Sequence, residues 1–211
     1  MDSVSPANVL NVLKRKRRFE VMSVQTKVLD TIYDYNGQAL APRHNYLNYG
    51  LLGDSILGFV GACDVDLKFM ADGEDVRDGK TIAADRMAHL LVEVFDVDLL
   101  GAASLQRLTA ELCVDVLSDL SDQSELVHQL RRTGDDLYCG SKKFNISVAV
   151  PSVNSCLIHF AVNTDNAGAP VETIGLVDFQ VSDSQFLDEL VRRLAAEIES
   201  IRRATYKVLP H

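Results

Sequence analysis

Apolar residues recur at helical spacing in two long segments of the chain. The first covers 105–120 and the second covers 184–203, with an apolar residue at every third or fourth position. This period places the apolar side chains along one face of an α-helix, which then packs against a core. Ser104 precedes the first segment and is of a residue type that commonly caps helix N-termini. The pattern predicts two long helices, the first beginning after Ser104.

Shorter runs of alternating apolar and polar residues predict β-strands, because successive side chains of a strand point to opposite faces. The predicted strands cover 23–34 (as one or two short strands), 55–65, 87–95, 126–132, 136–139, 143–150 and 156–163. Asn36 and Gly37 predict the turn of a hairpin. We also expect a short helix over 42–50 and a polar loop over 70–80. Runs of strands with few helices are typical of an α+β domain, so we expect a mostly antiparallel sheet with helices packed on one face.

Three of the predicted strands present a second face that mixes polar residues with small or apolar ones. Over 143–150, even-numbered residues such as Phe144 are expected in the core and odd-numbered residues on this second face. The polar residues predicted to lie on the second face are Lys143, Asn145, Ser147, His89, Glu93, His159 and Asn163. Apolar walls with a few polar groups are what a ligand pocket needs. The alternative is a sheet whose outer face is polar because it is half solvated.

The segment 134–147 has a charge pattern that is unusual for a tight hairpin. Two alternating runs flank a break that contains a glycine and a serine, which predicts the turn. The charged residues of the segment are Asp135, Asp136, Lys142 and Lys143. The two acids could position a cation or bind a ligand amine, and the alternative is turn and capping chemistry at the mouth of the hairpin.

The composition indicates a globular chain with one core. The chain has 211 residues, of which 47% are hydrophobic, and we interpret 22–211 as a single domain. The net charge of −9 argues against a nucleic-acid-binding domain, and no apolar run is long enough to span a bilayer. The four cysteines form no C-x-x-C pair, which favours reduced thiols in a cytoplasmic protein. The sequence sets no oligomeric state, and a homodimer is compatible with it.

Residues 1–21 differ in character from the rest of the chain. A block of five cations occupies 14–18 in an otherwise acidic sequence. One interpretation is an arm that binds nucleic acid or a membrane surface. The alternative, which we favour, is an extension outside the folded domain that need not be ordered, with the domain beginning at Met22.

The hairpin resembles the one that carries the catalytic lysine in biotin and lipoate protein ligases. The strand at 158–164 and the segment around Pro170 and 173–176 are similar to motifs that follow this hairpin in biotin ligases. A wider set of motifs resembles domain-of-unknown-function family 366, which is known mostly from archaea. Those motifs lie at 50–55, 63–65, 87–89 with Glu93, 106–108 and 134–138. The resemblance implies the fold of biotin and lipoate ligases and of the class II aminoacyl-tRNA synthetase catalytic domain.

The resemblance also implies a role for Lys143, which matches the ligase lysine. In that role its ammonium would stabilise negative charge at a carboxylate and an α-phosphate, whereas the alternative is an exposed hairpin lysine like Lys142. Biotin ligases hold the reactive carboxylate and phosphates with a loop rich in arginine and glycine. The corresponding segment here, 70–79, contains four acids and one arginine. It would repel a triphosphate, so ATP is disfavoured as a cofactor.

Other candidate residues lie on the predicted strands and before them. His89 and Glu93 stand four positions apart on one predicted face, which suits an acid/base pair. With His159 or neighbouring acids they could ligate a metal ion, but the spacing matches no zinc motif, and we assign no metal site. The alternative is a hydrogen bond within the sheet. Asp54 and Ser55 could belong to a binding loop, or they could simply follow a helix end and turn.

These observations predict a cytoplasmic enzyme that acts on a small carboxylated or heterocyclic molecule bound on the open face of the sheet. Lys143 is the expected electrostatic stabiliser, and His89 with Glu93 are the expected acid/base or binding groups. The residues expected to bind the substrate are Asp54, Ser55, Asp135, Asp136, Asn145, Ser147, His159 and Asn163. The family resemblance adds an association with deazapurine metabolism, for example decarboxylation of a carboxylated deazaguanine. The alternatives are an ATP-dependent ligase or acyltransferase of the lipoate or biotin type, and a non-catalytic ligand-binding module.

Overall fold

A computed structural model describes residues 23–209 of the chain. Its strands, in chain order, are β1 (Gln25–Val28), β2 (Ser55–Val65), β3 (Ile82–Phe95), β4 (Leu130–Thr133), β5 (Asp136–Cys139), β6 (Lys142–Lys143), β7 (Asn145–Pro151) and β8 (Ser155–Asn163). Its helices are α1 (His44–Tyr49), α2 (Gly73–Asp78), α3 (Leu99–Leu120), α4 (Ser124–Val127) and α5 (Asp183–Lys207), and a 3₁₀ turn covers Leu67–Phe69.

The strands form two sheets. The main sheet has five strands in the order β1-β2-β3-β8-β7, in which β1 and β2 are parallel and the other neighbours are antiparallel. The second sheet has three antiparallel strands in the order β4-β5-β6. The predicted α+β architecture with a mostly antiparallel sheet is confirmed.

Helices α3 and α5 cover one face of the main sheet, as their apolar stripes predict. Val116 of α3 and Leu190 of α5 belong to the same core cluster as Leu90 of β3 and Phe160 of β8. All four side chains are fully buried, and each contributes roughly 1.5–3 kcal/mol relative to exposure. The helical stripes and the apolar face of the sheet therefore form one continuous core.

Helix α3 begins earlier than the sequence predicts. Asp98, and not Ser104, is its N-cap, because the Asp98 carboxylate accepts a hydrogen bond of 2.7 Å from the backbone N–H of Gly101. Ser104 lies inside the helix, where its hydroxyl donates to the carbonyl oxygen of Leu100. A serine one turn into a helix commonly bonds back to the carbonyl four residues earlier, so it does not mark the helix start.

The other face of the main sheet is covered over part of its area by the segment 29–51. Tyr35 and Ala39 of this segment are buried in a second core cluster with Phe59 and Leu91 from the sheet. The expectation of an open second face is therefore wrong where this segment crosses the sheet.

The turn at Asn36 and Gly37 forms, but it does not close a hairpin. The Asn36 side chain accepts a hydrogen bond from the backbone N–H of Gln38, and Gly37 has a φ of 90°. Tyr35, just before the turn, pairs with Cys63 in parallel, so the chain is not returning along its own preceding strand. The turn instead redirects the segment that covers the sheet, and the predicted short helix α1 follows it.

The segment predicted as a polar loop contains helix α2. Its N-terminus is capped by the Asp72 carboxylate, which accepts from the backbone N–H groups of Glu74 and Asp75. Gly79, with a φ of 62°, ends the helix in the left-handed conformation that glycine adopts readily. The acids near the helix N-terminus thus stabilise a helical turn that has no apolar stripe to reveal it.

The strand after the hairpin changes sheets at Phe144. Lys143 pairs with Tyr138 of β5, whereas Asn145 pairs with Val162 of β8. Asn145 therefore lies on the helix-covered face with Val162, and Ile146 lies on the opposite face with its partner Ala161. The predicted alternation over 143–150 is wrong from Asn145 onward, because the irregular residue Phe144 reverses the faces.

Some predictions concern residues that the structure does not describe. The cationic block at 14–18 lies outside the described residues, so the interpretation of 1–21 stays a prediction. Between residues 23 and 209, no helix combines the length and the hydropathy needed to cross a membrane.

The close approach of the Tyr33 backbone to Gly61 of β2 gives a stability prediction. A Cβ added at Gly61 would lie 2.1 Å from the carbonyl oxygen of Tyr33, so the backbone must move. We expect Gly61→Ala to lower the free energy of unfolding by about 1–3 kcal/mol, measured by chemical denaturation. The matched control is Gly73→Ala in α2, where no atom lies within 4 Å of the added Cβ, and we expect no loss there. Equal stability of the two variants would contradict this packing.

Candidate functional site

A cavity of about 400 Å³ lies where the second sheet meets the main sheet. The hairpin of β5 and β6 forms one wall, helix α2 with the start of β3 forms another, and the residues after β8 close a third. Six of the residues predicted to form the site line this cavity: Lys143, Asp135, Asp136, Asn145, Ser147 and Asn163. The remaining candidates, described below, lie elsewhere.

The backbone of Lys143 is held by three hydrogen bonds. Its N–H donates to the carbonyl oxygen of Glu172 at 2.9 Å. Its carbonyl oxygen accepts from the backbone N–H of Ile174 at 3.1 Å and from the side-chain amide of Asn163 at 3.0 Å. The start of the Lys143 side chain is therefore fixed at the cavity wall, and Asn163 is one of the groups that fix it.

The Lys143 ammonium forms an ion pair inside the cavity. Its Nζ lies 2.8 Å from Oδ2 of Asp136, and the hydroxyl of Tyr138 donates to the same oxygen at 3.1 Å. The Lys143 side chain is 28% exposed, so the ammonium is partly desolvated but can still be reached by a ligand. Burial raises the pKa of Tyr138, with Lys143 opposing this and Asp136 adding to it. The tyrosine is therefore a hydrogen-bond donor at neutral pH.

A partly buried polar network holds Asp135 at the cavity. Its Oδ2 accepts from Nε2 of Gln106 and from the hydroxyl of Ser147, both at 2.7 Å. Gln106 lies on the buried face of α3 and also contacts the Ser147 hydroxyl at 2.8 Å. Sequence reasoning did not select Gln106 as a site residue. The sequence feature that could have indicated Gln106 is its place next to the apolar stripe of a core helix, because a polar side chain buried there needs hydrogen-bond partners.

Asn145 organises the hairpin beneath the cavity. Its side-chain oxygen accepts from the backbone N–H of Leu137 at 2.6 Å, and its amide donates to the carbonyl oxygen of Asp135 at 3.0 Å. The residue is completely buried, so both ends of its amide are satisfied by backbone groups. Its contacts are those of a residue that fixes hairpin geometry.

The acidic segment around α2 contributes charge to the same cavity. Asp72, Asp75 and Lys80 line it, and Lys80 pairs with Asp75 at 3.0 Å. Together with the hairpin residues, the lining contains four carboxylates and two ammonium groups. Two negative charges are therefore left without a lysine partner, which makes the cavity attractive to positive charge and hydrogen-bond donors.

His89 and His159 lie outside this cavity, beneath Tyr35. Nδ1 of His89 and Nε2 of His159 are 3.0 Å apart, and the other ring nitrogen of His89 is 3.2 Å from the carbonyl oxygen of Gly61. The Tyr35 ring stacks on His159 with 3.8 Å between centroids, and Phe59 stacks on His89. Both imidazoles are buried, and both ring nitrogens of His89 contact protein groups, which is the geometry of a structural pair.

Glu93 is buried and forms an ion pair with the partly exposed Arg43, away from the cavity. Its carboxylate lies 2.6 Å from the guanidinium of Arg43, and it also accepts from the Arg43 backbone N–H and the Ser155 hydroxyl. Arg43 has a φ of 65°, and this set of bonds holds the residue in that conformation. His89 and Glu93 have no contact with each other, so the geometry gives them separate structural roles. Their predicted catalytic roles stay untested.

Asp54 and Ser55 also lie in structural contacts. The Asp54 carboxylate accepts from the backbone N–H of Phe95 at 2.8 Å and from the guanidinium of Arg202 at 2.5 Å. The Ser55 hydroxyl accepts from the amide of Asn45 and is completely buried. These residues connect the start of β2 to its neighbours, as expected when a turn precedes a strand. Neither lines the cavity.

The candidate ligands for a metal ion do not converge. Among residues 23–209, no group of three or more histidine, cysteine, aspartate or glutamate side chains is arranged to hold a metal ion. Glu93 is paired with Arg43, and the two histidines contact each other.

The main sheet with its helices has the fold of biotin and lipoate protein ligases, many of which superpose on it. Biotin protein ligase from Aquifex aeolicus, in complex with biotin and ATP, superposes with a TM-score of 0.57 at 10% identity, over 85% of this chain and 72% of that chain. An identity this low shows the fold alone, because one fold hosts many functions.

The chain belongs to the family described as domain of unknown function DUF366, which matches residues 24–209. The uncharacterized protein MJ0805 of Methanocaldococcus jannaschii is 32% identical over 184 residues, which are 84% of this chain and 80% of that protein. A protein of unknown function from Pyrococcus horikoshi has a TM-score of 0.81 and 34% identity, and the match covers 89% of this chain and all of that one. The resemblance drawn from the sequence motifs is thus confirmed.

The buried histidine pair predicts a pH dependence of stability. Burial lowers the pKa of His89 to about 4, and burial together with the neighbouring His89 lowers the pKa of His159. Histidines of the unfolded chain, with a pKa near 6.5, bind protons that the folded pair does not. Stability should therefore fall as the pH drops from 6.5 toward about 4, by up to roughly 1.4 kcal/mol per pH unit for each histidine.

Chemical denaturation between pH 7 and pH 5 measures this change in the free energy of unfolding. The range is chosen because most carboxylates titrate below pH 5. The control is His44→Gln, because burial also lowers the pKa of His44 while this residue lies outside the pair. This variant should keep most of the slope. A free energy of unfolding that stays constant from pH 7 to pH 5 would contradict the prediction.

Proposed function

We propose that the protein is an enzyme that binds a small carboxylated heterocycle in the cavity and uses Lys143 to act on its carboxylate. The supporting observation is the anchored Lys143–Asp136 pair, whose ammonium faces a cavity of about 400 Å³. That volume lies within the range of about 300–1,000 Å³ typical of small-molecule sites. The proposal thus moves the site from the centre of the sheet face to its junction with the hairpin.

Lys143 suits a role in which negative charge must be held in one place. Its backbone is fixed by Glu172, Ile174 and Asn163, so little reorganisation is needed when a ligand binds. Its ammonium is partly desolvated, which strengthens its attraction for a carboxylate. An arriving carboxylate would share the ammonium with Asp136.

Decarboxylation is the reaction that this pair supports best. The bond between the ring carbon and the carboxylate breaks, carbon dioxide leaves, and the bonding electron pair stays on the ring carbon. The Lys143 ammonium then supplies a proton to that carbon and regains one from water. Asp136, 2.8 Å from the ammonium, repels the substrate carboxylate and so favours breaking of this bond, which moves the negative charge to the ring carbon, where the proton from Lys143 neutralises it. The deazapurine association of the family suggests a carboxylated deazaguanine as the first substrate to test.

Two further observations fit a small-molecule enzyme. Structural neighbours of the same fold are described in complex with biotin and ATP or with lipoic acid, which supports the use of this architecture for small ligands. All four cysteines are free thiols, which is consistent with the cytoplasmic location that we include in the proposal.

Lys143→Ala tests the proposal, with Lys142→Ala as the matched control. Lys142 is the adjacent hairpin lysine, is exposed and does not line the cavity. We expect Lys143→Ala to lower the rate of carbon dioxide release from the carboxylated deazaguanine by at least about 100-fold, because a fixed charge and proton donor is lost. Lys142→Ala should retain the wild-type rate. In D₂O, the product should carry one deuterium at the former carboxylate carbon.

Two results would contradict this assignment. One is equal loss of activity in both lysine variants, which would remove the specific role of Lys143. The other is tight binding of the carboxylate without any turnover by the wild-type protein, which would favour a non-catalytic binding module.

An ATP-dependent ligase or acyltransferase is the second candidate. It is supported by the shared fold and by the position of Lys143 in the hairpin. It is opposed by the four carboxylates of the cavity, which would lie near a triphosphate. The charge balance of the lining therefore favours the first candidate.

Thermal denaturation with and without magnesium-ATP distinguishes the two candidates. We expect no ATP-dependent rise in the melting temperature of the wild-type protein, because the cavity repels the phosphates. The control ligand is the carboxylated deazaguanine, which should raise the melting temperature by mass action. An ATP-dependent rise that disappears in Lys143→Ala would favour the ligase and overturn the first candidate.

A further inference from the structure

We propose that Asp135 and Asn163 form a subsite that accepts N–H donors from a cationic or amidine-type group of the ligand. The subsite belongs to the same cavity and so rests on the proposed function of that cavity as a small-molecule site. It goes beyond that proposal by assigning the chemistry of a second group of the ligand, distinct from its carboxylate.

Asp135 is a carboxylate that lines the cavity without a cationic partner. Within the described residues no lysine, arginine or histidine nitrogen lies within 4.0 Å of it, whereas Asp136 and Asp75 are each paired with a lysine. Its two protein partners, Gln106 and Ser147, are neutral and both donate to Oδ2. Its Oδ1 receives no hydrogen bond from residues 23–209, so one acceptor oxygen and one negative charge remain for a ligand.

Asn163 provides an independent observation. The residue is 5% exposed and lines the cavity. Its Nδ2 donates to the carbonyl oxygen of Lys143, which defines the orientation of the amide. Its Oδ1 accepts no hydrogen bond within the described part of the chain. Because the residue lines the cavity, this oxygen is open to the cavity and can accept a hydrogen bond from a ligand.

The two acceptors differ from Lys143 in the ligand group that they can bind. Carboxylate and amide oxygens accept hydrogen bonds only, so the matching ligand group carries N–H donors. A planar group with adjacent N–H donors and positive charge satisfies a carboxylate most strongly, since charge-assisted pairs of this kind are about twice as strong as neutral ones. The excess of two carboxylates over lysines in the lining adds attraction for such a group.

The structure therefore assigns a ligand with two chemically different ends. The end at Lys143 carries a carboxylate, and the end at Asp135 and Asn163 carries an amidine, a guanidine or the equivalent edge of an aminated heterocycle. Gln106 of helix α3 is a positioning residue, because its side-chain amide donates to Oδ2 of Asp135 and so orients that carboxylate.

Benzamidine and benzoate test this assignment as probes of matched shape and opposite charge. Isothermal titration calorimetry measures the Kd of each probe for the wild-type protein and for Asp135→Asn. The asparagine oxygen can still accept from Gln106 and Ser147, so this variant should fold. The control is Asp115→Asn, which makes the same charge change on an exposed part of α3. We expect Asp135→Asn to weaken benzamidine binding at least tenfold, and Asp115→Asn to leave it unchanged.

Amide chemical shifts of the wild-type protein provide a measurement that needs no variant. Benzamidine should shift the signals of Asp135 and Asn163, in the presence of EDTA as well as in its absence. The proposal is overturned if benzamidine does not bind, if its binding is unaffected by Asp135→Asn, or if the shifts map elsewhere. Binding of Mg²⁺ alone at Asp135, with no response to benzamidine, would overturn it in favour of an inorganic cation site.

The benzoate measurements separate this proposal from the proposed function. Benzoate binding that is lost in Lys143→Ala reports on the carboxylate end, and benzamidine binding that is lost in Asp135→Asn reports on the donor end. If benzoate binds through Lys143 and benzamidine does not bind, only the subsite fails. If benzamidine binds through Asp135 but Lys143→Ala leaves turnover unchanged, only the proposed catalytic role fails.

Discussion

The junction of the two sheets at Lys143 and Phe144 is the constraint on which the candidate site depends. The chain passes from β6, which pairs with β5, through Phe144 into β7, which pairs with β8, so its backbone groups form hydrogen bonds with both sheets in succession. The N–H of Phe144 donates to Leu137 in the hairpin, and its carbonyl oxygen accepts from the N–H of Asn163 at the end of β8. Its side chain is completely buried and packs edge-on against Phe179. Because every polar group of this crossing is paired, the adjacent Lys143 is held where the cavity forms.

The second face of the main sheet is divided into a structural part and a part that forms the cavity. Where the segment 29–51 crosses, His89 and His159 lie in a buried layer between the sheet and Tyr35, where the two rings contact each other and Tyr35 stacks on His159. Toward the far end of the same face, Met87 contributes to the cavity. Met87 and His89 are two residues apart on the same face of β3. Met87 lines the cavity, whereas His89 is covered by the segment 29–51. The division explains why His89 and His159 lie outside the cavity although they share a sheet face with residues that line it.

The family and the fold establish the arrangement of strands and helices, whereas the proposed ligand chemistry is inferred from the charged side chains of the cavity. Biotin and lipoate ligases share the arrangement of strands and helices at low sequence identity, so their ligands do not transfer with the fold. The cavity here combines an anchored lysine with a carboxylate excess supplied by the hairpin and by α2. That combination suits a ligand with a negative and a hydrogen-bond-donating end better than it suits a triphosphate. The acidic segment 70–79 supplies two of the four cavity carboxylates, those of Asp72 and Asp75.

The spacing of apolar residues along the chain determined much of the architecture, because this spacing shows which side chains share a face of a helix or strand. The stripes of α3 and α5, the strands β2, β3 and β8, and the hairpin with Lys143 all follow from residues close together in the chain. Tertiary structure alone decided the rest. The reversal of faces at Phe144 comes from a change of pairing partner, the burial of His89 comes from a distant segment, and the contact of Gln106 with Asp135 joins residues 29 positions apart. A one-dimensional pattern shows the direction of a side chain relative to its neighbours, whereas its environment is set by whichever remote segment packs against it.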